Sequence, residues 1–216
     1  MFDRIASRYD LANHLLSAGA DFWWRARAAD IVVSWQPKRI LDLATGSGDL
    51  ALKLQRKLPL ADLTAADFSS EMLALAAAKG VRQTVLADAL QLPFRDATFD
   101  CVTVAFGLRN MSEWDGALRE MRRVLCAGGH LLVLDFSKPN RAVRPVYNFY
   151  LHQVLPTAAG WITGNQNAYA YLASSIDTFP SGIAMIELLE QNGFSRCRAQ
   201  PLTGGIVTIY TGERIG

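Results

Sequence analysis

An apolar run that breaks through two glycines into a helical pattern constrains this chain more than any other segment. It reads Ile40-Leu41-Asp42-Leu43-Ala44-Thr45-Gly46-Ser47-Gly48-Asp49-Leu50. Ile40–Leu43 has the character of a buried strand, and Leu50, Ala51, Leu52 and Leu54 fall at helical spacing. Strand, tight turn and helix N-terminus together make a nucleotide-type binding site. Glycine lets the backbone turn and lets a ligand lie against it, and the helix start offers unpaired N–H groups.

Two ligands compete for such a turn. Gly46, Gly48 and Ala51 match the dinucleotide pattern G-x-G-x-x-G/A, and Asp67 stands about 20 residues on, where that pattern has its ribose-binding acid. An NAD-binding dehydrogenase is therefore a rival. Against it, Asp42 inside the strand and Asp49 at the helix start both face the approach of a pyrophosphate. S-adenosylmethionine (SAM) carries a sulfonium and an ammonium and no phosphate, so acids beside the glycines suit it and repel the other ligand.

From Ile40 onward short apolar runs alternate with helical stretches, which predicts an α/β fold with a mostly parallel, Rossmann-like sheet. Strands are expected at Ile40–Leu43, Leu63–Ala66, Thr84–Ala87, Phe99–Ala105 and His130–Phe136. Helices are expected at Asp49–Lys57, Ser70–Lys79 and Glu113–Leu125. Ser112 with Asp115 resembles a capping box, and Gly128-Gly129 is expected to end the third helix. A helix at Ile183–Gln191 and strands at Phe194–Gln200 and Ile206–Tyr210 suggest an antiparallel hairpin on one edge.

The chain has 216 residues, half of them hydrophobic, enough for one domain spanning 1–216. With 22 basic and 20 acidic residues the net charge is +2, which gives no electrostatic case for nucleic acid. Cys101, Cys126 and Cys197 lack metal spacing, so no metal site and a reduced, cytoplasmic setting are expected. Met1 to Asp10 is charged, and neither a signal peptide nor a spanning helix is visible.

Two regions fall outside the alternation. Residues 2–35 read as two amphipathic helices, with Phe22, Trp23, Ala26, Val33 and Trp35 as the apolar set of the second. Residues 137–180 form a connection far longer than the usual span of about 2–6 residues. It holds Tyr147, Phe149, Tyr150, Trp161, Tyr169, Tyr171 and Phe179, either a tunnel for an apolar tail or ordinary core.

Five stretches carry a resemblance: MFDRIASRYDLANHLLS, LDLATGSGDL, FGLRNM at 106–111, LLVLDFSKP at 131–139, and YLASSIDTFP with LTGGIVTIY near the end. With these the chain resembles the ubiquinone/menaquinone biosynthesis C-methyltransferases, within the class I SAM-dependent methyltransferases. The resemblance implies that residues 2–35 form a lid, that 137–180 form a substrate-side insert, and that the acceptor is a prenylated quinol, demethylmenaquinol foremost. Residue by residue, it implies that Asp42, Gly46, Ser47 and Gly48 bind the cofactor. Asp67 takes the ribose hydroxyls with Phe68 beside it, Asp88 and Ala89 meet the adenine, and Ala105 stands where the family has serine. Asp88 replaces the family's frequent asparagine, Asn165 its acid before YxYL, and Gln153 its histidine before VLP, with His152 one place earlier. The lipid-soluble acceptor implies peripheral contact at the inner face of the membrane, where Trp23, Trp24 and Trp161 can rest, and a homodimer is compatible with it.

Methylating a quinol carbon needs an electron-rich ring. A phenol pKa near 10 leaves about 4 kcal/mol to overcome at pH 7, and one well-placed cation supplies on the order of 3 kcal/mol. Arg109, with Asn110 beside it, comes after the fourth strand and can hold the oxyanion; its other reading is an arginine that ties down the N-terminal helices. Tyr9 is the second catalytic candidate, and His14 and His152 are the remaining bases. A methyltransferase for another small aromatic or lipid-like acceptor, and a SAM-binding subunit without activity, remain as further readings.

Overall fold

The structure, a computed structural model, describes residues 19–140, 143–149 and 174–216. Tyr9, His14, His152, Gln153, Trp161 and Asn165 lie outside the described residues, as do Tyr150, Tyr169 and Tyr171.

Helices alternate with strands as the periodicity predicts. In chain order come α1 (Ala20–Trp35), β1 (Arg39–Leu43), α2 (Asp49–Lys57), β2 (Asp62–Asp67), α3 (Ser70–Ala78), β3 (Thr84–Leu86) and β4 (Phe99–Ala105). Then come a short 3-10 turn (Leu108–Asn110), α4 (Trp114–Val124), β5 (Leu125–Phe136), α5 (Arg144–Phe149), α6 (Ile183–Gln191), β6 (Phe194–Leu202) and β7 (Val207–Arg214). The seven strands form one sheet in the order β3-β2-β1-β4-β5-β7-β6. Strands β1 to β5 pair in parallel, and β7 runs antiparallel to both β5 and β6. The C-terminal hairpin thus lies on one edge, as expected.

The core reflects the two-residue period of a strand. Ile40, Leu132 and Leu134 point to one face and pack with Trp24, Ala28 and Val32 of α1 and Leu50 and Leu54 of α2. Leu41, Leu43, Leu131 and Val133 point to the other, against Leu118 and Met121 of α4 and Met185 and Leu189 of α6.

Three details differ from expectation. In α1 the buried face is Trp24, Ala28, Ala29 and Val32, whereas Phe22 and Trp23 are 53% and 54% exposed. Asp21 and Arg25 share the buried face because they neutralise one another across one helical turn, at 2.5 Å. Gly128-Gly129 does not separate helix from strand: β5 starts at Leu125, and the glycines sit where its register with β4 shifts between Phe99↔Leu125 and Cys101↔His130. The expected capping box is absent, since Glu113 holds the N-cap position and Asp115 accepts from Asn192 Nδ2 at 2.8 Å.

In the 137–180 stretch, Phe179 is core: it is 1% exposed and meets Trp114 edge-on at 5.5 Å. Its start is pinned to the end of the chain. Ser137 N donates to the Ile206 carbonyl at 2.9 Å and Asn140 N to that of Gly204 at 3.0 Å. Two sequence stretches that carried the resemblance are therefore neighbours in space.

Gly48 has φ +84°, and a Cβ there would lie 2.5 Å from Val81 Cγ2 and 3.0 Å from Ala76 Cβ. Gly48→Ala is expected to cost about 1–3 kcal/mol through overpacking. Urea unfolding checks it, and an unchanged midpoint would contradict the packing.

Candidate active site

The sheet order reverses between β1 and β4, since the chain leaves β1 toward β2 and β3 and then returns to β4. Ligands bind outside the carboxyl ends of strands at such a point. A cavity of about 450 Å³ lies there, within the range of roughly 300–1,000 Å³ common for small-molecule sites. Its wall is built from the loops that leave four strands: Ala44 to Ser47 after β1, Asp67 to Ser69 after β2, Ala87 to Leu90 after β3, and Ala105 to Gly107 with Asn110 to Ser112 after β4.

Ala44 and Phe106, the first residues beyond β1 and β4, have φ +52° and +60°. Left-handed backbone at a non-glycine residue costs about 1–2 kcal/mol, and such strain gathers at functional sites. The two turns touch closely, since a Cβ on Gly107 would lie 2.5 Å from that of Ala44.

Asp42 is 1% exposed on the cavity wall. Its Oδ1 accepts from Thr103 Oγ1 and its Oδ2 from Thr45 Oγ1, both at 2.6 Å. Burial pushes its pKa up to about 6, with the two threonines and the charge of Arg25 opposing the rise. Asp67 accepts from Gly46 N through Oδ2 at 2.8 Å and from Ser69 N through Oδ1 at 2.9 Å. Burial raises its pKa, and those backbone donors oppose it. Asp88 is exposed and accepts from Leu90 N at 2.9 Å. Ser47 Oγ accepts from Lys79 Nζ at 2.6 Å, and the same ammonium meets Asp49 at 3.0 Å. The loop beyond β3 is braced from α4, where Arg123 binds the carbonyls of Leu92 and Phe94 and the carboxylates of Asp96 and Glu120.

Of the residues expected from the sequence, Asp42, Gly46, Ser47, Asp67, Phe68, Asp88, Ala89, Ala105 and Asn110 all line this one cavity. Two do not. Gly48 turns toward Ala76 and Val81 and serves helix packing. Arg109 is the larger correction. Its side chain is 0% exposed, its Nη1 meets Asp135 Oδ1 at 2.7 Å and the Phe106 carbonyl at 2.6 Å, and its guanidinium lies 5.1 Å from the Phe136 ring centroid. A cation so placed holds the turn after β4 rather than an oxyanion in the cavity. Trp24, expected near a surface, is buried between Phe106 and Phe136 and donates to Thr203 Oγ1 at 2.8 Å.

Residues that the sequence reading missed are Arg25, Met72, Phe106, Met111 and Ser112 on the wall, and Thr103 and Asp135 behind it. A signal existed for Arg25: Asp21 stands four residues before it, on the same side as Trp24, Ala28 and Val32.

The sequence matches the ubiE/COQ5 methyltransferase family over residues 1–214. The chain belongs to this family. It is 49% identical to a demethylmenaquinone methyltransferase of Thermus thermophilus over 99% of this chain and 100% of that one. It is 43% identical to a ubiquinone/menaquinone biosynthesis C-methyltransferase of Syntrophotalea carbinolica, over 99% of this chain and 92% of that protein. Among solved structures, a SAM-dependent methyltransferase of Thermotoga maritima, described as a possible histamine N-methyltransferase, superposes with a TM-score of 0.72. At 18% identity over 99% of this chain and 97% of that one, it shares the fold.

As a ubiE/COQ5 family member the chain is a SAM-dependent methyltransferase. The donor set fits SAM: four carboxylates, Asp42, Asp49, Asp67 and Asp88, stand along the cavity, where a pyrophosphate would be repelled.

Proposed function

We propose that this enzyme methylates a ring carbon of a prenylated quinol, with demethylmenaquinol as acceptor and menaquinol as product. The family and the full-length relatives support the quinone-precursor acceptor. The observation that carries the site is the convergence of four post-strand loops, each with two expected residues, on one cavity.

SAM supplies an electrophilic methyl group. The chain's part is to hold and orient it. The carboxylate of Asp67, oriented by the backbone N–H groups of Gly46 and Ser69, accepts from the ribose hydroxyls. Asp88 and Ala89, beyond β3, face the adenine, with Phe68 covering it, and Gly46 and Ser47 bear on the amino-acid end. Asn110 brings its amide to the cavity, while Arg109 acts as a positioning residue that fixes the turn carrying it. Tyr9 is proposed as the group that activates the acceptor hydroxyl. Residues 2–35 act as a lid and 137–180 as the acceptor-side insert of one domain.

An apolar acceptor resides in a bilayer. A cytoplasmic enzyme with peripheral contact belongs to the same proposal; among the described residues no helix is long and apolar enough to cross a membrane. The exposed Phe22 and Trp23 support such contact. A homodimer belongs to the same proposal and is tested by sedimentation.

A methyl-transfer assay with short-tailed demethylmenaquinol and its benzoquinol analogue, side by side, tests the acceptor. Turnover of neither would refute the proposal, and turnover of the benzoquinol alone would move it to ubiquinone synthesis. Asp67→Ala is expected to weaken SAM binding by about 1.5–3 kcal/mol, the range for hydrogen bonds to a charged group. Isothermal titration reads this directly, and an unaltered affinity would remove Asp67 from the cofactor.

A further inference from the structure

Among the described residues on the cavity wall, Arg25 is the basic one, facing a wall otherwise rich in carboxylates. It is buried, at 8% exposure. Asp21 holds its Nη1 at 2.5 Å, and its guanidinium lies 5.0 Å from the Phe106 ring centroid. Clamped between an acid and a ring, the guanidinium is fixed in place before any ligand arrives. Two threonine hydroxyls fill the hydrogen bonds of Asp42, on which the charge of Arg25 acts without a hydrogen bond between them.

Sheet spacing says which part of SAM lies there. Neighbouring strands stand about 4.8 Å apart. With adenine at the end of β3 and ribose at the end of β2, the amino-acid portion falls at the ends of β1 and β4. Arg25 sits there, over Phe106. The amino-acid portion carries the molecule's one anion, an α-carboxylate, which a wall of aspartates would repel. A guanidinium offers a planar fork to a carboxylate, and five donors in all, of which Asp21 engages one on Nη1.

The geometry points to Arg25 as the residue that binds the α-carboxylate of SAM, so that α1 closes the amino-acid end of the cofactor site. This rests on the cofactor site proposed above. Asp21 is then a positioning residue, holding the guanidinium on the wall.

The test compares two ligands by isothermal titration: S-adenosylhomocysteine, and 5′-methylthioadenosine, which keeps adenine, ribose and thioether and lacks the amino acid. The proteins are wild type, Arg25→Lys, and the double variant Asp21→Asn with Arg25→Met. The double variant removes both charges together, so no lone ion stays buried, and its melting curve checks that it folds. It is expected to bind S-adenosylhomocysteine about 10–100-fold more weakly and 5′-methylthioadenosine within about twofold of wild type. Arg25→Lys, which keeps the charge and loses the fork, should fall between. Equal losses for both ligands would make Arg25 a structural residue and overturn the proposal. An unchanged affinity for S-adenosylhomocysteine would do the same. Wild type that binds neither ligand would instead overturn the cofactor site itself.

Discussion

Arg109→Ala is expected to lower the melting temperature by roughly 6–20 °C. The ion pair with Asp135 is 0% exposed on both sides. Removing one partner of a buried pair costs about 3–5 kcal/mol, because the other charge is left without its counter-ion. In a chain of this size each kcal/mol moves the midpoint by about 2–4 °C. Asp135 also accepts from the backbone N–H groups of Arg109 and Phe136, at 3.2 and 2.9 Å. The loss therefore reaches the end of β5 as well as the turn that carries Asn110. Arg109→Met combined with Asp135→Asn should recover most of the midpoint, since neutralising both partners is far cheaper than stranding one. Single-turnover methylation on the same samples separates structure from chemistry. A normal melting curve with abolished methyl transfer in Arg109→Ala would return the arginine to the reaction and discard the positioning role.

That arginine shows where sequence reading stops. The strands and helices were legible because buried parallel strands are short apolar runs and the helices between them have one apolar stripe. Helices α2 and α6 and strand β4 start and end where the periodicity puts them. The glycine turn was legible too, since strand, turn and acid are contiguous. Arg109 and Asp135 are 26 residues apart on different strand ends, and no local pattern says that they meet. Their pairing turns the arginine inward. Local patterns also misled in α1. Adjacent Phe22, Trp23 and Trp24 all read as apolar, and the burial of Trp24 alone is decided by Phe106, Phe136 and Thr203. Arg25 was passed over for the mirror-image reason: a basic residue on a helix reads as solvent-facing until its Asp21 partner is counted.

Asp42 should leave a measurable mark on the pH dependence of stability. Its pKa is about 6 in the folded chain against 3.8 for the free side chain, and burial is the main cause. A carboxyl whose pKa is raised by folding is bound to its proton more tightly in the native state. Below pH 3.8 it is neutral in both states and costs nothing. As pH rises through the window from 3.8 to about 6, the unfolded chain gives up its proton first, and stability falls. The shift corresponds to about 3 kcal/mol, at 1.36 kcal/mol per unit, fully lost above the folded pKa. Asp67 has the same sign of shift and Glu120, held by Arg123, the opposite one, so the raw profile mixes several groups. A difference isolates Asp42. Asn in its place accepts from one threonine hydroxyl and donates to the other, and it does not titrate. The stability of Asp42→Asn relative to wild type should therefore rise by about 2.4 kcal/mol between pH 4 and pH 7, or about 5–10 °C in melting temperature. Profiles that run parallel across that window would mean that Asp42 is ionised at its ordinary pKa. In that case the threonines and Arg25 outweigh burial, and the acid carries its full negative charge toward the cofactor site even at pH 5.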